Sequence, residues 1–160
     1  MIREVKRDEL AACAALIRKS FQTVADEFGF TEENAPRFTA FATTEDRLLW
    51  QMSVEHRLMF LDEEDGVLCG YYSLRLAENG RCDLGNLSVL PEYRHRGIGG
   101  KLLRHAMETG KENRCRVMDL SIVEENAVLR KWYEQNGVVH KGTERFDFFP
   151  FTCGYLTIDL

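Results

Sequence analysis

The chain has 160 residues, 44% hydrophobic and 29% charged, which suits one compact domain and excludes wholesale disorder. Its 21 Lys and Arg against 26 Asp and Glu give a net charge of −5, opposite in sign to the basic footprint of a nucleic-acid binder. No run approaches the roughly 18 apolar residues of a membrane helix, and charge scattered through the first ten residues does not read as a secretory leader.

From the N-terminus, Ile2 to Val5 reads as a short strand, and Asp8 as the cap of a helix whose apolar stripe is Leu10, Cys13, Ala14, Ile17, Phe21 and Val24. Gly29, Asn34 and Pro36 break it into a loop, and a further helix from about Thr44 to Val54 is capped by Thr43 or Thr44. Arg57 to Glu63 and Val67 to Ala77 pair as a hairpin about Glu64-Asp65-Gly66. Glu78-Asn79-Gly80 turns the chain into a third strand, Cys82 to Leu90, stopped at Pro91. A helix opens at Gly97, Met118, Leu120 and Ile122 alternate as a strand, and Glu125 to Asn136 is helical up to a Gly137 cap. Two last strands lie around Val138–Phe146 and Thr152–Asp159. With no repeat and no shift in composition, residues 1–160 read as a single α/β domain.

The five cysteines (Cys13, Cys69, Cys82, Cys115, Cys153) are odd in number and contain no CxxC pair, so neither a zinc site nor a disulfide framework is expected, and a reducing cytoplasm is. His56, His95, His105 and His140 lack metal-ligand spacing, so no metal is expected. Cys153 lacks an evident His partner and reads as packing rather than as a nucleophile.

The segment Leu87 to Lys101 carries the chemistry. A strand ends at Pro91, a basic turn follows, and Gly97, Gly99 and Gly100 open a helix. Glycines at that place let backbone N–H groups approach an anion, the helix dipole adds positive potential, and Arg94 and Arg96 add formal charge. A Walker loop fails because His95 stands where its first glycine belongs and Leu102 where Ser or Thr should follow Lys101. The dinucleotide fingerprint fails because Leu102 replaces its third glycine.

What remains, Arg94-His95-Arg96-Gly97-Ile98-Gly99 preceded by Val89-Leu90-Pro91-Glu92-Tyr93, resembles the acyl-CoA pyrophosphate loop of the GNAT superfamily of N-acetyltransferases. The order of elements over nearly the whole chain resembles it too. The resemblance implies a mixed, largely antiparallel central sheet flanked by helices in the order β-α-α-β-β-β-α-β-α-β-β. It implies acetyl-CoA as acyl donor, its pyrophosphate on the amides of Arg94, His95, Arg96, Gly97, Ile98, Gly99 and Gly100, and its pantetheine on the backbone of Leu87 and Val89. Asn126, Leu129 and Tyr133 share a helix face. By the same resemblance Asn126 lies near the pantetheine and Tyr133 near the thioester sulfur, where a phenol can protonate the departing thiolate.

Asp83, at the start of the strand before the loop, is the candidate general base, with Asp where some relatives carry the longer Glu. Glu92 is closer to the loop, but a turn carboxylate is usually just solvated. Five phenylalanines (Phe21, Phe28, Phe30, Phe38, Phe41) fall in the first helical region and four (Phe146, Phe148, Phe149, Phe151) near the last hairpin. Ring faces and the nearby carboxylates Asp26, Glu27, Glu32 and Glu33 suit a cationic amine, and Phe30 and Phe149, beside loop breaks, are the candidate acceptor contacts. The expected acceptor is a small-molecule amine, with a protein N-terminus or lysine, or a non-catalytic acyl-CoA-binding module, as alternatives. Oligomeric state stays open, a homodimer included.

Overall fold

The computed structural model describes residues 1–160. Its strands are β1 (Ile2–Glu4), β2 (Leu58–Glu64), β3 (Val67–Leu76), β4 (Arg81–Val89), β5 (Val117–Val123), β6 (Val139–Arg145) and β7 (Thr152–Asp159). Its helices are α1 (Leu10–Phe28), α2 (Thr39–Ala42), α3 (Glu45–Ser53), α4 (Ile98–Glu112) and α5 (Ala127–Gln135). The strands form one seven-stranded sheet, ordered β1-β2-β3-β4-β5-β7-β6, antiparallel except where β4 meets β5. The expected mixed, largely antiparallel sheet flanked by helices is the architecture found.

The turns form as their residue types dictate. Asp65-Gly66 and Asn79-Gly80 both hold two successive positive φ angles (50° and 78°, 59° and 70°), which matches the twist of the hairpins they close. Thr44 caps α3 by accepting from the Arg47 amide at 3.1 Å. The start of α1 differs from the expectation of an Asp8 cap. Asp8 lies in a short 3₁₀ turn, Arg7–Glu9, and Glu9 is the residue that ties this corner. Its carboxylate accepts from the Lys6 amide (2.8 Å) and from both terminal nitrogens of Arg3 (3.0 and 2.7 Å). α2 falls within the expected loop, one turn of helix after Phe38 has inserted into the core.

Alternation along the strands sends even-numbered residues of β5, and of β4 as far as Leu84, to one face and odd-numbered residues to the other. Beyond residue 86 of β4 the order reverses, so that Leu87 and Val89 join the first face. Cys82, Leu84, Met118, Leu120 and Ile122 pack under α4 and α5 with Leu102, Leu103, Ala106 and Tyr133. The other face, at β2 and β3, is covered by α1 and α3 through Met59, Leu61, Tyr71, Leu10, Ile17 and Leu48. A third cluster (Ala25, Phe30, Phe38, Val123, Phe151) clips the loop after α1 to the end of β5 and the start of β7.

The sheet comes apart at its parallel joint. β4 and β5 pair only at Arg81↔Val117, Cys82↔Met118 and Asp83↔Asp119, although the strands run on to Val89 and Val123. Just beyond, β4 carries a bulge at which Asn86, with φ of 51°, and Leu87 lie opposite Tyr72 alone. The bulge bends β4 away from β5, and the gap reaches toward the glycine turn.

Candidate active site

Between β4 and α4 the chain crosses a 3₁₀ turn, Pro91–Tyr93, and then places His95 (φ 63°) and Gly97 (φ 80°) in the left-handed region before the helix starts. No backbone amide from His95 to Gly100 donates to an acceptor in the protein, and the first to do so is Lys101, to the Gly97 carbonyl at 3.0 Å. Such a run of free N–H groups at a helix N-terminus, beside a gap in the sheet, fits a diphosphate with an extended arm. The glycines answer to different neighbours. A Cβ on Gly97 would meet nothing within 4 Å, so its need is conformational. A Cβ on Gly99 would lie 3.3 Å from Trp132 Cζ2, so Gly99 lets α5 pack closely on α4.

The basic residues divide. Arg94 corrects the expectation of a cation beside the anion, because its guanidinium is committed inside the protein. It donates to the Ser20 carbonyl (2.9 Å), Ser20 Oγ (3.2 Å), Thr23 Oγ1 (3.0 Å) and the Val89 carbonyl (3.2 Å). Arg94 is thus a latch between α1 and the loop, and it also engages one backbone acceptor expected to serve a pantetheine. Arg96 stays exposed, its guanidinium 4.9 Å from the Tyr93 ring centroid, and Leu87 lies beyond the point where β5 stops pairing. Lys101 pairs with Asp62 (2.6 Å) and with Glu64 of β2. Arg104 went unnoticed in the sequence. A Cβ on Gly100 would lie 3.2 Å from its Nη1, so it folds back over the first turn of α4. The available signal was its spacing, four residues after Gly100 on one helix face.

Asn126 caps α5, its Oδ1 accepting from the Leu129 amide at 3.2 Å, while its Nδ2 has no partner in the protein. Tyr133 is 5% exposed, its ring edge-on to Trp132 at 4.9 Å, and its hydroxyl makes no hydrogen bond within the chain. Burial pushes the phenol above its ordinary range, which keeps the proton on the oxygen.

Asp83 stands on the opposite face. Tyr133, from α5, belongs to the core cluster that includes Cys82 and Leu84, whereas Asp83 alternates to the face that β5, β7 and β6 leave open. There an open concavity of about 600 Å³ is lined by Asp83, Asp119, Ser121, Lys141, Tyr155 and Thr157, among others. Asp83 and Asp119 are register partners, yet their environments drive them apart. Asp119 is clamped by Arg81 at 2.8 and 2.6 Å, which holds its carboxyl below the usual range. Asp83 has only longer contacts to Arg57 (3.6 Å) and Arg75 (4.0 Å), and burial raises its affinity for a proton. Two neighbouring carboxyls pushed in opposite directions is the pattern that separates a proton acceptor from a fixed counter-charge.

The aromatic expectation needs a correction at Phe30. Only 8% exposed, it is hemmed in by Phe28, Phe38 and Phe151 with ring centroids at 6.0, 5.1 and 4.9 Å, so it is core and presents no face to an acceptor. Phe149 is half-buried, stacked on Phe151 at 4.6 Å. Cys153 is free and half-buried, and burial raises its thiol. No helix is long and apolar enough to cross a membrane, and no three His, Cys, Asp or Glu side chains are grouped to hold a metal ion.

The model of the acetyltransferase (GNAT) family matches residues 12–138. An uncharacterized N-acetyltransferase in the pepI 3′ region of Lactobacillus delbrueckii subsp. lactis is 27% identical over 164 aligned positions, covering 96% of this chain and 89% of that one. Aminoglycoside N(6′)-acetyltransferase type 1 of Salmonella typhimurium is 28% identical over 110, covering 64% and 74%. Among solved structures, the PaiA N-acetyltransferase of Thermoplasma acidophilum, in complex with coenzyme A, superposes with a TM-score of 0.80 at 21% identity, covering 100% of this chain and 98% of that one. With the family model spanning most of its length, the chain belongs to the acetyltransferase (GNAT) family, enzymes that draw their acetyl group from acetyl-CoA.

Proposed function

We propose that the protein transfers acetyl from acetyl-CoA to the primary amine of a small molecule by direct attack on the thioester. What supports this reading is the split sheet, with a carboxyl of raised proton affinity, Asp83, on one face and a buried phenol that keeps its proton, Tyr133, on the other. The free amides from His95 to Gly100 hold the diphosphate, Leu87 and the Asn126 Nδ2 orient the arm that follows, and Arg96 and Arg104 add charge beside them. The acceptor enters from the open concavity, whose volume lies in the range of small-molecule sites.

The proton count sets the roles. An ammonium becoming an amide gives up two protons: one leaves by way of the Asp83 carboxylate to solvent, and one balances the thiol of the departing CoA. Tyr133 supplies the thiolate's proton at once and recovers it from solvent. The new bond joins amine nitrogen to acetyl carbon, and the bond that breaks is carbon to sulfur.

Thiol release from acetyl-CoA across a panel of small amines, amino acids and peptides tests the reading, with turnover expected on small amines. In Tyr133→Phe, kcat should fall about 10²-fold, the low end for a general acid, with CoA affinity unchanged. Turnover confined to peptides would overturn the acceptor class, and full kcat in the phenylalanine variant would overturn the role of Tyr133.

A further inference from the structure

Arg57, in the link between α3 and β2, is a cation that the reaction above does not use. Its side chain is 11% exposed and held on several sides. Nε points to Glu55 at 3.4 Å, Nη1 donates to Ser73 Oγ of β3 at 3.2 Å, and Nη2 stands 3.6 Å from Asp83 Oδ2. The guanidinium also lies directly on the backbone of β4. A Cβ on Gly85 would sit 2.7 Å from Nη1 and 2.9 Å from Ser73 Oγ, so the strand has room for Arg57 only because residue 85 has no side chain. Gly85 is followed at once by the bulge that opens the split. Glu55, Ser73 and Gly85 together fix the guanidinium where the paired part of β4 gives way to the gap.

We propose that Arg57 is a positioning residue for this site: anchored by Glu55, Ser73 and the β4 backbone at Gly85, it holds a fixed positive charge against the Asp83 carboxyl next to where the sheet splits. The inference rests on the reading of Asp83 as the base and adds what sets its readiness. The charged groups nearest Asp83 are Arg57 from the α3–β2 link, Arg75 from β3 and Asp119 from β5, while Arg81 of β4 (clamped on Asp119), Lys141 of β6 and Tyr155 of β7 (bonded to Glu144) line the same concavity without pairing with it. Burial and Asp119 favour the protonated carboxyl, and the two arginines oppose them, Arg57 the more strongly. Without Arg57 the carboxyl would hold its proton to higher pH and work as a base only in more alkaline solution. Arg75 cannot replace it, being farther from Asp83 and 45% exposed, where solvent weakens the pairing.

The test reads Asp83 directly. A carbon-13 titration of the side-chain carboxyls, with Asp83→Asn to assign the resonance, needs no acceptor. In Arg57→Gln the Asp83 midpoint should rise by about one pH unit, the low end for losing an opposite charge at this distance, because Arg75 remains and Asp83 is partly exposed. Arg57→Lys should restore part of the shift. Gly85→Ala, which removes no charge but crowds the guanidinium off the strand, should move the midpoint the same way. With the best acceptor from the amine panel, the acid limb of kcat/KM should rise in step. An unmoved midpoint in folded Arg57→Gln, or in Gly85→Ala should the glutamine variant not fold, overturns the inference. A midpoint that moves while the acid limb stays in place overturns instead the reading of Asp83 as base, and with it the catalytic consequence of Arg57.

Discussion

Gly97→Ala isolates what the loop conformation is worth to CoA binding. The residue sits at φ of 80° with nothing within 4 Å of the position a Cβ would take, so the substitution adds strain without a clash. An L-residue in the left-handed region costs about 1–2 kcal/mol. Where that cost appears depends on what holds the loop. Because no amide from His95 to Gly100 bonds within the protein, the free loop can relax out of the strained conformation, and the strain returns only when the amides must converge on the diphosphate. Affinity for CoA by calorimetry should therefore fall about 5- to 30-fold, with little change in Tm. Gly66→Ala is the matched control, with φ of 78° and equally open space, but in a turn held by β2–β3 pairing on both sides. There the same cost should appear as a Tm lower by about 2–8 °C, with CoA affinity unchanged. Wild-type affinity in Gly97→Ala would refute the assignment of the loop amides to the diphosphate.

Phe30→Ala should destabilise the fold by about 3–5 kcal/mol in chemical denaturation, the usual cost of emptying an aromatic core site, and any preparation that stays folded should keep its acceptor KM. Glu9→Gln should lower Tm at neutral pH. The pairing with Arg3 pulls the Glu9 carboxyl down to about 2, so its stabilisation is complete above pH 4.5 and is lost as pH falls toward 2, where variant and wild type should converge.

The parts of the fold that were legible in the sequence are those set by short-range chemistry. Asp65-Gly66 and Asn79-Gly80 require positive φ, Thr44 offers a capping oxygen, and the alternation through Met118, Leu120 and Ile122 admits one strand register. The start of α1 was not legible because Glu9 does the tying, reaching back to the Lys6 amide and across to Arg3, a partner set by the fold rather than by local sequence. At the site, the glycines marked the loop, but no sequence pattern says which way an arginine points, and Arg94 turned inward to α1. Aromatic crowding looks the same whether the rings fill a core or line a pocket, and only the burial of Phe30 separates the two. The placement of Asp83 and Tyr133 on opposite faces depends on which face the helices cover. Arg57 did leave a trace in the isolated Gly85 within a strand, a mark of a bulge or of something lying close to the backbone.

Joined along only three residue pairs, β4 and β5 make the sheet behave mechanically as two leaves sewn by a short seam. An extended ligand lying along β4, as proposed for the donor's arm, would take the place of the missing neighbour and lengthen that seam. Amide exchange at Leu87 and Val89 should slow markedly on loading with CoA, while Arg81 to Asp83, already sewn, should barely respond. The two leaves should then come apart together rather than one at a time, so loading with the donor, before any acceptor arrives, is expected to turn a hinged body into a single stiffer one.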